Sequence, residues 1–154
     1  MAVQPIPEGY HALTPYLVVG DASKAIEFYK GAFGAEEMMR MGEPGGKVGH
    51  AELRIGDSVV MLADEHPEVD ARSPETIGGS PVSIVLYVDD SDAVYDRAVK
   101  LGATAERPVE NQFYGDRAGT VRDPFGHRWN VHTHVEDVSP EEMTRRAEAA
   151  AGGG

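Results

Sequence analysis

Hydrophobic and polar positions along the chain follow two periods, and these lay out its elements. Tyr16-Leu17-Val18-Val19 is a short apolar run closed by Gly20-Asp21, which predicts a buried strand. From Ala22 to Phe33 the residues Ala22, Ile26, Tyr29 and Phe33 recur at helical spacing, so they share one face of a helix. Asp21 stands where an N-cap side chain belongs, and Gly34 where a helix ends in left-handed backbone. Residues 36–40 lead to the turn Gly42-Glu43-Pro44-Gly45-Gly46. From Lys47 to Ile55 the period changes to two: Ala51, Leu53 and Ile55 lie on one face of a strand, His50, Glu52 and Arg54 on the other. Gly56-Asp57 signals a hairpin, and Ser58 to Ala63 returns.

Residues 64–81 are rich in acid, Pro, Gly and Ser, and predict a linker or mobile surface loop. Beyond it the pattern starts again. Val82 to Val88 reads as a strand. Asp90 or Ser91 caps a helix to Leu101 with Val94, Ala98 and Leu101 as its buried stripe, and Gly102 closes it. Residues 103–109, 112–115, 119–122 and 127–135 read as strands or strand ends, with Asp123-Pro124-Phe125-Gly126 as a turn. Val19-Gly20-Asp21…Phe33-Gly34 and Val88-Asp89-Asp90…Leu101-Gly102 thus echo each other at an offset of 68 or 69 residues. Each half reads strand, helix, three strands, and each must bury or cover an exposed sheet face. The alternative is an α+β domain without internal repeat. Ser139-Pro140-Glu141-Glu142 opens a short helix, after which Gly152 to Gly154 should fray; this tail should dock on the body or reach a neighbouring subunit.

Charge and composition narrow the function. The chain has 154 residues with 14 Lys plus Arg against 26 Asp plus Glu, a net charge of −12 that would repel nucleic-acid phosphates and anionic membranes. It has no cysteine, which excludes disulfides, thiolate metal sites and Cys nucleophiles. The first residues lack the basic and apolar regions of a signal peptide, and no apolar run suffices to span a bilayer. A cytoplasmic, single-domain protein is expected.

Candidate chemistry falls on two strand faces. His50, Glu52 and Arg54 share one, and a carboxylate there needs a partner or a proton, which makes Glu52 a candidate general base or anchor. Asn130, His132 and His134 share another. His50, Glu52 and His132 are the candidate catalytic residues; a noncanonical metal site from these three competes with an internal hydrogen-bond network. Tyr16, Tyr87, Phe113 and Tyr114 would line or rim a cavity, Trp129 belongs to the core, and Arg117 and Arg122 either steer an anion or pair on the surface.

The motifs Pro15-Tyr16-Leu17, Ala25-Ile26-Glu27-Phe28-Tyr29, Phe33-Gly34, His50-Ala51-Glu52-Leu53, Leu62-Ala63-Asp64, Tyr114-Gly115-Asp116-Arg117 and Asp123-Pro124-Phe125-Gly126-His127-Arg128-Trp129 resemble the vicinal oxygen chelate superfamily. This group holds glyoxalases, bleomycin- and fosfomycin-resistance proteins and extradiol dioxygenases, and within it the chain looks most like the PhnB-like branch. The resemblance covers residues 12–137. It implies an α+β fold of paired βαβββ modules, 14–65 and 82–137, forming curved mixed sheets around a concave cavity. Residues 138–154 stand apart as a helix and disordered tail. It also implies a homodimer in which sheets of both protomers complete each site. Metal-using relatives carry His and Glu ligands at four positions, which match Thr14, Met61, Ser83 and Asn130 here; these are weak divalent-metal ligands. The resemblance therefore points to a binder of a small organic metabolite or antibiotic with no metal or other cofactor favoured. Thr14, Tyr16, Arg54, Met61, Ser83, Tyr87, Tyr114 and Asn130 are its candidate ligand contacts. The alternative is a glyoxalase- or dioxygenase-like lyase or isomerase with an unusual metal or acid–base site.

Overall fold

A computed structural model describes residues 2–152. In the first half, strand β1 (Tyr16–Val19) is followed by helix α1 (Ala22–Phe33), then by strands β2 (Glu36–Gly42), β3 (Val48–Ile55) and β4 (Ser58–Asp64). Helix α1 begins where the Asp21 side chain accepts from the Lys24 N–H, and ends at Gly34 with φ of 70°, a conformation costly for residues other than glycine. After a short helix α2 (Pro74–Ile77), the second half repeats the order: β5 (Ser83–Tyr87), α3 (Ser91–Lys100), β6 (Thr104–Asn111), β7 (Asp116–Arg122) and β8 (Arg128–His134). Helix α4 (Pro140–Gly152) ends the described chain. The expected fraying of Gly153 and Gly154 lies outside the described residues.

The two sheets have the same layout. Their strand orders are β1-β4-β3-β2 and β5-β8-β7-β6, each with one parallel pair (β1 with β4, β5 with β8) and antiparallel pairs elsewhere. No strand of one sheet pairs with a strand of the other among the described residues. The halves meet through their helices instead. Ala22, Ile26, Tyr29 and Phe33 of α1 are buried with Leu17, Ala51, Leu53 and Leu62 of the first sheet and with Ala98, Val121, Trp129 and Val131 of the second half, forming one core. Phe33 lies 4.7 Å and Tyr29 5.5 Å from the Trp129 ring, centre to centre.

Two buried carboxylates fix the backbone around this core. Asp64 accepts from the Ala22 and Val48 N–H groups at 2.9 and 2.7 Å, joining the ends of β4, α1 and β3. Asp123 accepts from the Tyr29 hydroxyl at 2.5 Å, the Trp129 Nε1–H at 2.9 Å and the Phe125 and His127 N–H groups, so one carboxylate ties α1 to the second half.

Three expectations need correction. Residues 112–115 form a turn, in which the Gly115 N–H donates to the Gln112 carbonyl at 3.2 Å. Leu101 is 49% exposed, because α3 ends at Lys100 and the cap turns the next side chain off the buried face. The segment 64–81 carries ordered structure: His66 bridges Ala71, and the Glu65 carboxylate accepts from the Ser73 N–H at 2.7 Å and the Thr76 hydroxyl at 2.5 Å, which pins α2 with Ser73 buried beneath it. As expected, Ser139 caps α4, which docks through Arg146 on Glu136 and the Phe113 carbonyl. No helix is long and apolar enough to cross a membrane among the described residues.

Candidate functional site

The alternation of β3 sends Ala51, Leu53 and Ile55 into the core and leaves His50, Glu52 and Arg54 on the face turned away from the helices. Strand pairing places Met61 of β4 beside both Glu52 and Tyr16. On this first face His50 is the centre of a relay. The Tyr16 hydroxyl lies 2.8 Å from His50 Nδ1, and His50 Nε2 lies 2.8 Å from the Glu52 carboxylate. A carboxylate only accepts, so Nε2 carries the proton of that bond, and Nδ1 shares a hydrogen bond with the Tyr16 hydroxyl. The Tyr10 hydroxyl also donates to Glu52, which brings the N-terminal segment over the face. These bonds from Tyr10 and His50 hold the Glu52 carboxyl below its ordinary range. Glu52 is therefore ionised and its oxygens are engaged, which suits an anchor better than a base. Arg54, expected to flank it as a cation, makes no ion pair with it among the described residues; Tyr10 takes that place.

The second face is built the same way and is more open. Ser83, Val85 and Tyr87 of β5, Asn130 and His132 of β8, and Asp116, Ala118 and Thr120 of β7 point to one side, while Trp129, Val131 and Val121 enter the core. Asp116 is its hub, accepting from the Tyr87 hydroxyl at 2.9 Å, His132 Nδ1 at 2.8 Å and His134 Nδ1 at 2.8 Å. Burial raises the Asp116 carboxyl, but these three bonds together outweigh it and hold it below the usual aspartate value. The second ring nitrogen of His134 meets Asp137 at 2.7 Å; bonds to Asp137 and then Asp116 raise the His134 pKa, which favours the charged form of an imidazole facing two carboxylates. His132 differs. Its Nδ1–H is held by Asp116, and its Nε2 has no partner among the described residues. Tyr114 stacks on the His132 ring at 6.2 Å.

A cleft of about 500 Å³ opens on this face, between Tyr114, His132, Asn130, Thr120 and Arg107. Behind it runs a polar chain. The Thr120 hydroxyl donates to Asn130 Oδ1 at 2.7 Å, and Asn130 Nδ2 donates to Ser83 Oγ at 3.0 Å. A larger hollow of about 710 Å³ follows the outside of α1 near Phe28, Leu101 and Phe125, away from both relays.

The sequence-based candidates thus separate into two clusters. Tyr16, His50, Glu52 and Met61 meet on the first sheet, with Arg54 on the same face; Ser83, Tyr87, Tyr114, Asn130 and His132 meet on the second. His132 makes no hydrogen bond to His50 or Glu52 among the described residues, and β3 and β8 belong to different sheets. Thr14 stands just before β1, with no side-chain hydrogen bond among the described residues. Arg117 and Arg122 pair with Asp92 and Glu106. Asp116, Arg107 and Tyr10 were absent from the candidates. Asp116 and Tyr10 reveal themselves only through strand register and chain path; Arg107, beside Glu106 and Pro108, looks like surface charge in the sequence.

Thr14, Met61, Ser83 and Asn130, which the resemblance matches to metal-ligand positions, carry neutral donors, and Ser83 and Asn130 are bonded to each other. This donor set does not fit a divalent cation, which calls for imidazole or carboxylate ligands. Among the described residues no group of three or more His, Asp or Glu side chains is arranged to hold a metal ion.

Comparison with known proteins agrees with the fold. Residues 10–131 match the model of the Glyoxalase/Bleomycin resistance protein/Dioxygenase superfamily, and the chain belongs to that family. It is 46% identical over 135 residues to a protein of Mycobacterium bovis described as uncharacterized, covering 86% of this chain and 89% of that one. Among solved structures it is similar to a gene product of Arabidopsis thaliana, with 29% identity, TM-score 0.64 and coverage of 79% of this chain and 98% of that one. It also resembles TioX from Micromonospora sp. ML1, with 24% identity, TM-score 0.63 and coverage of 81% and 99%.

Proposed function

We propose that the protein binds a small organic metabolite or antibiotic in the cleft of the second sheet, without a divalent ion, and that it does so as a homodimer in the cytoplasm. One observation carries this reading: a cleft of about 500 Å³ in which an aromatic wall, Tyr114 on His132, stands beside a hydrogen-bonded polar floor, Thr120–Asn130–Ser83. Small-molecule sites combine this size with apolar surface and a few placed polar groups. Sequestration needs neither a nucleophile nor a metal, and the Ser83–Asn130 bond occupies two positions where relatives place metal ligands.

The test is a binding screen read by NMR on protein purified without chelator. Binders are expected to shift Tyr114, Asn130 and His132 while leaving α4 unmoved. His132→Ala should weaken them about tenfold, close to 1.4 kcal/mol, by removing the stacked wall. A stoichiometric transition ion that disappears in His132→Ala would overturn the metal-free reading.

The homodimer rests on the edges of the sheets. Strands β1 and β5 each pair on one side only, and Leu13, Tyr16, Val82, Val85 and Tyr87 around them are exposed. Unpaired edges flanked by apolar side chains call for a covering surface. Sedimentation at micromolar concentration is expected to give a dimer; a monomer alone would remove this part of the proposal.

A second reading is favoured by the Asp116–His132 pair. A carboxylate that holds Nδ1–H leaves Nε2 as an acceptor on the cleft side, which is how an imidazole is oriented for general-base work. Lyase or isomerase chemistry on a small oxygenated metabolite would use this group.

A further inference from the structure

The pairing of the arginines separates two residues from the rest. Arg40, Arg72, Arg117, Arg122, Arg128, Arg145 and Arg146 each meet a carboxylate, and Arg97 donates to the Ala32 carbonyl. Arg54 and Arg107 have no hydrogen-bond or ion-pair partner among the described residues. In a chain of net charge −12, with acidic side chains in excess, an arginine left without one is an unusual arrangement. Arg54 lies beneath the N-terminal segment, where a Cβ on Gly9 would sit 3.2 Å from its guanidinium. Arg107 lines the open cleft.

Register places Arg107 in line with the polar floor. It is the β6 partner of Thr120, which is the β7 partner of Asn130, which is the β8 partner of Val85. The next row toward the turn holds Glu110, Ala118, His132 and Tyr87. Glu110 also lines the cleft, yet the bulges in the β6–β7 ladder leave it unpaired with Arg107. The carboxylate of Asp116 is met by three donors, from Tyr87, His132 and His134, so it adds little repulsion. The cleft thus has a forked cation at one wall, with the Glu110 carboxylate three residues along the same strand, an aromatic pair at another and neutral hydrogen-bonding groups between. From β6 to β8 it spans two strand spacings, about 10 Å, which suits one ring and its substituents.

Resting on the proposed binding role of this cleft, we infer that its ligand is a planar, single-ring carboxylate. The carboxylate takes the two parallel N–H donors of Arg107, and the ring lies along Tyr114 and His132. A substituent hydroxyl or carbonyl reaches Asn130 or the Nε2 of His132. The net charge of −12 disfavours an anion over most of the surface, so Arg107 also helps to select where it lands.

Benzoate and its neutral isostere benzamide test the inference on the full chain, with NMR shifts of the Arg107 Nε–H, Asn130 side-chain amide and Tyr114 ring as readout. Benzoate is expected to give saturable shifts at all three and to bind at least about tenfold more tightly than benzamide, the worth of one charge-assisted bidentate pair. Arg107→Gln should bring benzoate to the level of benzamide and leave benzamide unchanged. Arg122→Gln removes the same charge from the same sheet outside the cleft and should leave benzoate within about twofold, the effect of a screened, distant charge. Equal binding of the two probes, or an equal loss in Arg122→Gln, would overturn the carboxylate and leave the cleft as a site for neutral molecules. Absence of saturable shifts with either probe would overturn both this inference and the binding role beneath it.

Discussion

Asp123→Ala is expected to lower the unfolding free energy by about 3–5 kcal/mol and the melting temperature by about 10 °C. The carboxylate is buried and accepts four hydrogen bonds, from the Tyr29 hydroxyl, Trp129 Nε1–H and the Phe125 and His127 N–H groups. Removing it leaves buried donors without an acceptor, each at a cost of about 1–3 kcal/mol, and opens a void beside the largest side chain of the core. Because Tyr29 belongs to the first half and Trp129 to the second, the loss should be felt in both. Tyr29→Phe removes one donor while the other three bonds remain, and should cost about 1 kcal/mol. Chemical denaturation of the two variants decides the matter: equal losses would mean that Asp123 is no more than a partner of Tyr29.

Gly115→Ala should cost about 3 kcal/mol and disturb the second face at once. Gly115 has φ of 102°, and a Cβ there would fall onto the Glu136 carbonyl oxygen, part of the backbone. The chain beyond β8 would have to move, breaking the bonds that the Val135 and Glu136 N–H groups donate to the Gly115 carbonyl at 2.9 and 3.0 Å. The flanking residues Tyr114 and Asp116 form the wall and hub of the candidate site, so a shift of the Tyr114 and His132 resonances should accompany the lost stability. Gly34→Ala is the matched control: φ is 70° but no atom lies within 4 Å of its Cβ, so only the backbone cost of about 1–2 kcal/mol applies. If denaturation gave the two alanine variants the same stability, the contact with Glu136 would carry no energy.

Much of the fold was legible in the sequence because each element obeys its own period. The stripe Ala22, Ile26, Tyr29 and Phe33 and the alternation from Lys47 to Ile55 state which side faces the core, and Asp21, Gly34 and Gly56 mark where elements stop. The errors lie where a local pattern met a tertiary demand. Phe113 and Tyr114 look like strand residues, but Gly115 with its positive φ turns the chain there. Leu101 continues the stripe of α3 in spacing, though the helix has already ended. For the candidate site, period two grouped His50 with Glu52 and Asn130 with His132, since neighbours on one strand share a face whatever the rest of the fold does. It did not supply the partners. Asp116 reaches His132 through β7–β8 register, Tyr10 reaches Glu52 through the path of a segment without regular structure, and Arg107 stands out, with Arg54, only once the acceptors of the other arginines are known.

The strand alternation that sends Ala51, Leu53, Ile55, Trp129 and Val131 inward and His50, Glu52, Asn130 and His132 outward separates two kinds of selection. Residues holding the halves together sit on one side of each backbone, and residues able to meet a guest molecule sit on the other. Substitutions among the outward set act mainly on the hydrogen bonds of their own relay, with Glu52 the member that is itself buried. A substitution on the outward side is thus expected to change what the face can hold more than it changes the stability of the scaffold.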